Sequence, residues 1–68
     1  MTPEQLRTSL KGLKGDRTTR IIFESGAGML CVHNAFLVPV ESDNLVKLTD
    51  GQKEYVIDAP RIAWLEIG

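Results

Sequence analysis

His33 is the one histidine of this chain and Cys31 its one cysteine, and both side chains are capable of acid–base, nucleophilic or metal chemistry. Catalysis by an imidazole needs a second positioned group, and none can be identified along the sequence. Beside Asn34, His33 reads more simply as part of a turn or as a partner for backbone. Cys31 lies in the apolar stretch Met29–Val32, without the basic neighbourhood that makes a thiol reactive, and reads as a small core side chain. Together the two fall short of the roughly four ligands of a zinc site. Asp43, Asp50 and Asp58 are dispersed without calcium-loop spacing. Gly26-Ala27-Gly28 lacks the lysine and following helix of a phosphate loop. The expectation is a protein that is not an enzyme and carries no metal or cofactor.

The elements that must position these residues begin with a helix. Thr2 can cap it, Pro3 suits its first position, and Gln5 completes a capping box with Thr2. Leu6, Leu10 and Leu13 recur at helical spacing, and Lys11 and Lys14 suit the negative end of the dipole, which predicts a helix over about 3–14. Gly12 or Gly15 then stops it. Arg7, Lys11 and Lys14 form a basic patch of the kind a solvated helix face carries. From Thr18 to Glu24 the period changes to two, with Thr19, Ile21 and Phe23 on one face. Ser25–Gly28 reads as a turn. An extended stretch from Met29 to Val40 follows, which Pro39 must bend or place on an edge. Leu45–Leu48 and Lys53–Asp58 read as strands joined through the hairpin signal Asp50-Gly51. Ile62–Ile67 is the last strand.

One helix followed by five short strands suits a small, closed or nearly closed antiparallel barrel, because closure removes exposed sheet edges. No linker, repeat or low-complexity segment divides the chain, so it reads as one domain over 1–68, with the barrel over about 17–68. On strict alternation the last strand puts Ile62 and Trp64 on one face and Ala63, Leu65 and Ile67 on the other. Both faces then need cover, from the chain's own helix or from a second copy. Trp64 can anchor an interface or fill the core.

A chain of 68 residues buries only about 60% of its unfolded surface, so self-association is an economical source of further burial. Hydrophobic content of 43% and charged content of 25% are those of a globular chain. The net charge of -1 lacks the strongly basic signature of nucleic-acid binding. No apolar run approaches the ~20 residues of a membrane span, and the start Met1-Thr2-Pro3-Glu4 is acidic where a signal peptide is basic. A cytoplasmic location is expected, with no membrane partner.

Two stretches resemble the motifs of the Sm-like family, which includes bacterial Hfq. Gly28-Met29-Leu30-Cys31-Val32-His33-Asn34-Ala35-Phe36-Leu37-Val38 is similar to the first motif, in which Gly-x-Leu is followed by an Asp, apolar residues and an Asn. Ile57-Asp58-Ala59-Pro60-Arg61-Ile62-Ala63-Trp64-Leu65 is similar to the second, in which Ile-Arg-Gly-x-Asn precedes an apolar strand. Asn34 stands in place of the first motif's Asp and Val38 in place of its Asn. Asp58-Ala59 replaces Arg-Gly, and Arg61 replaces the second Asn.

The resemblance implies a mainly β fold, an N-terminal α-helix followed by a strongly bent five-stranded antiparallel barrel of SH3 type. It also implies a homo-oligomeric ring in which the fourth strand of one subunit pairs with the fifth of the next. Here that interface would comprise Tyr55, Val56 and Ile57 with Ile62, Ala63, Trp64, Leu65 and Ile67. Single-stranded RNA is the implied ligand, at His33, Asn34, Phe36, Asp58 and Arg61, with Phe36 at the base-stacking position and Arg61 facing the pore. The alternative is an SH3-like adaptor barrel, a monomer that recognises protein through an aromatic groove of Tyr55, Trp64 and Phe36.

Overall fold

In the computed structural model, which describes all of residues 1–68, helix α1 spans Pro3–Leu10. Its start is built as the sequence predicts: Gln5 N–H donates to Thr2 Oγ1 at 3.1 Å, and Thr2 N–H donates to Gln5 Oε1 at 2.9 Å. The helix ends four residues before the predicted Lys14. Gly12 is a poor helix residue and Gly15 takes φ +86°, outside helical space. The Leu13 N–H instead bonds the Leu10 carbonyl at 3.1 Å, and the turn drops Leu13 into the core beside Leu6 and Leu10.

Six strands follow: β1 Thr19–Phe23, β2 Met29–Val32, β3 Phe36–Leu37, β4 Val46–Thr49, β5 Glu54–Ile57 and β6 Ile62–Ile67. They form two three-stranded antiparallel sheets, ordered β2-β1-β6 and β3-β4-β5. The expected closed barrel of five strands is not found, because β5 and β6 do not pair and the predicted strand over 29–40 is divided. The division falls at His33-Asn34-Ala35, where Asn34 adopts φ +53°, a left-handed conformation that Asn tolerates. Buried Ala35 is held there by backbone: its N–H donates to Arg17 O and its carbonyl accepts from Gly15 N–H, both at 3.0 Å.

The core lies between the sheets. Leu30, Ile21 and Leu65 form one row across the first sheet, and Val32, Thr19 and Ile67 form another. Leu37, Leu48 and Tyr55 answer them on the second sheet, with Val46 opposite Ile57. The leucines of α1 cover one side, and the 3-10 turn Ala59–Arg61 leads into β6.

Strict alternation fails in β6. The register passes from Ile22 opposite Trp64 to Phe23 opposite Ile62, so Ala63 is the extra residue of a bulge. Ile62 therefore joins Leu65 and Ile67 on the core side, and Ala63, Trp64 and Glu66 face outward. No helix is long and apolar enough to cross a membrane.

Candidate functional site

The sheet orders leave four outer strands, β2 and β6 in the first sheet and β3 and β5 in the second, each with one side unpaired by another strand. An unpaired edge presents a row of free N–H and C=O groups able to accept another strand. Of the residues predicted at an interface, Ile57 and Ile62 are buried in the core, and Tyr55, Leu65 and Ile67 are half-buried against it. Ala63 is exposed, and Val56 and Trp64 keep 58% and 53% of their surface in water. Trp64 also ends an apolar row, Met29–Ile22–Trp64, on the outer face of the first sheet.

A groove opens beside β5, between the start of α1 and the turn into β6. Its walls include Pro3, Leu45, Val56, Ile57, Ala59 and Pro60, and it encloses about 220 Å³. Nothing local in the sequence marks it, because its walls come from three separate segments. No cavity is lined by Phe36, Tyr55 or Trp64.

The residues predicted to meet RNA fall into two groups. His33 and Asn34 lie between β2 and β3 and Phe36 opens β3, whereas Asp58 precedes and Arg61 ends the 3-10 turn before β6. No hydrogen bond or ion pair joins the groups, and Arg61 Nε instead binds Asp58 Oδ2 at 3.0 Å. The Phe36 ring leans on Gly15, where any Cβ would collide with it, yet 45% of the residue is exposed.

His33 has partners that the sequence did not disclose. Thr18 Oγ1 lies 3.2 Å from Nδ1, and Cys31 Sγ lies 3.9 Å from Nε2. Cys31 and His33 are two apart, and side chains at that spacing share a face of a strand; that was the available signal. Thr18 reaches them only through the pairing of β1 with β2. No group of three or more His, Cys, Asp or Glu converges on a point where a metal ion could sit.

Two polar clusters fix loops. Lys47 Nζ donates to Glu41 Oε1 at 2.6 Å and Asp43 Oδ2 at 2.8 Å, tying the connection between β3 and β4 to β4. Donating to Asp43 and then to Glu41 holds the Lys47 ammonium above the usual lysine range, and accepting from Lys47 holds Asp43 below the usual carboxylate range. In the β4–β5 hairpin, Asp50 Oδ1 accepts from the N–H groups of Gln52 and Lys53, both at 2.9 Å, which depresses its pKa. Tyr55 donates to Asp50 Oδ2 at 3.4 Å; burial first, and then the Asp50 charge, raise its pKa.

No protein-family model, curated protein or solved structure matches this chain.

Proposed function

We propose that this chain is an Sm-like unit that assembles with copies of itself, β5 of one against β6 of the next, into a ring that binds or scaffolds without catalysis. The observation that carries this reading is that β5 and β6, outer strands of two different sheets, are flanked by exposed Val56 and Trp64. Unlike edges pair head to tail, and such contacts close into a ring when the rotation between copies permits. In this reading β2 and β3 are one strand bent at His33-Asn34-Ala35, which reduces six strands to the five of an Sm-like barrel. Size-exclusion chromatography with light scattering tests it. A mass several times 7.5 kDa is expected, and a monomer at every concentration overturns the reading.

The proposed ligand is single-stranded RNA, with the exposed ring of Phe36 as its stacking surface. Base–aromatic stacking contributes ~1–3 kcal/mol per base, so Phe36→Ala should weaken oligoribonucleotide binding about tenfold or more at fixed salt. Arg61→Ala should weaken it less, because the Asp58 carboxylate already neutralises that guanidinium. Absence of binding by the unmodified protein removes RNA and leaves the assembly standing.

A further inference from the structure

We infer that Trp64 of one copy seats in the groove between α1 and β5 of the next; this rests on the edge-to-edge assembly proposed above. The backbone decides which residues can face one another. Val38 N–H donates to Lys47 O at 2.9 Å, so Lys47 turns its backbone groups toward β3. Its cross-strand partner Val56 therefore turns its own away from β4, into the open edge. On the other sheet Thr18 and Gly68 exchange both backbone bonds, at 3.2 and 3.1 Å. Alternation from that pair points the backbone groups of Leu65 and Ile67 to the free side of β6, and those of Trp64 and Glu66 toward β1.

Every ladder in this protein is antiparallel. In an antiparallel junction, residues that exchange hydrogen bonds stand opposite each other and share a face. Val56 can thus oppose Leu65 or Ile67, but not Trp64. Opposing Ile67 would pair only Val56 and Ile57 of β5 with residues of β6. Opposing Leu65 pairs all of β5 with the last four residues of β6: Glu54 with Ile67, Tyr55 with Glu66, Val56 with Leu65 and Ile57 with Trp64. No like charges meet in that register.

It carries Trp64 from the solvent side of its own sheet to the core-facing row of its neighbour's β5, beside Ile57. Ile57 is a wall of the 220 Å³ groove, whose apolar lining and size suit an indole ring. A buried indole N–H needs an acceptor, and Trp64 Nε1 brings its own, donating to Glu66 Oε2 at 3.1 Å. A parallel junction would leave Trp64 on the solvent side, so the position of the indole reports the geometry.

Trp64 is the one tryptophan, so fluorescence reads it alone. A dilution series followed by light scattering, emission maximum and acrylamide quenching is the test, on the unmodified protein and on Leu45→Glu. Leu45 lies outside the strands and is partly exposed, and circular dichroism checks that the variant folds. Expected are a blue-shifted, quencher-shielded indole in the assembled protein, lost on dilution. Leu45→Glu should weaken assembly at least tenfold and re-expose the indole at concentrations where the unmodified protein shields it. An assembled protein whose indole is as quenchable as in denaturant overturns the Trp64 placement alone. So does an indole shielded regardless of Leu45 or of dilution. A monomer at all concentrations overturns the assembly and this inference together.

Discussion

Thr19 is fully buried between Val32 and Ile67, and its hydroxyl has no hydrogen-bond partner. Leaving a buried polar group unpaired costs ~1–3 kcal/mol. Thr19→Val replaces that hydroxyl with a methyl of nearly the same shape and should stabilise the protein by about 1 kcal/mol. The urea midpoint should rise with an unchanged slope; an equal or lower midpoint would show that the hydroxyl is satisfied. The sequence places Thr19 on the same face as Ile21 and Phe23 but says nothing of its isolation, which depends on apolar neighbours from three strands. Cys31 shows the same limit from the other side. Its own segment is apolar, and its polar company, His33 two residues on and Arg20 opposite it on β1, comes into view only with the strand and its pairing. Residue identity thus gave the type of chemistry available, whereas company had to come from pairing.

At the scale of elements, the β4–β5 hairpin was legible because its determinants are local: Asp50 captures two N–H groups of its own turn and Gly51 supplies φ +95°. Those bonds make its stability depend on pH. The folded Asp50 pKa lies below its ordinary 3.8, so the stabilising contribution is present above 3.8 and is lost as pH falls through the folded value. Tyr55 behaves oppositely. Its folded pKa lies above 10.0, so its contribution is present below 10.0 and is lost as pH rises through the folded value. Asp50→Ala should therefore unfold at lower denaturant than the unmodified protein at pH 7, with the gap narrowing once pH drops below 3.8. A gap of constant size down to strongly acid pH would rule out the carboxylate as its source. The helix start was legible for the same local reason. The bend at Asn34 and the bulge at Ala63 were not, since each is set by where a neighbouring strand ends its register.

For the whole molecule the burial pattern sets the terms. Only 12 of 68 residues are buried, while Met29, Val56 and Trp64 stand more than half exposed, and the proposed association would cover part of that surface. If the free edge of β5 is the docking strand, its outward backbone must matter more than its side chains. Val56→Pro isolates that contribution. The Val56 N–H points away from β4, so proline removes a donor from the edge without breaking the β4–β5 ladder, and Tyr55 before it is already extended. The variant should keep its strand signal in circular dichroism, fall to 7.5 kDa by light scattering, and lose the concentration dependence of Tm that mass action imposes on an assembled protein. Val56→Ala trims the side chain but retains the N–H, and should assemble with only modestly reduced affinity. The contrast separates strand addition from hydrophobic contact. If the proline variant assembled as well as the alanine variant, β5 would not be the edge through which copies meet.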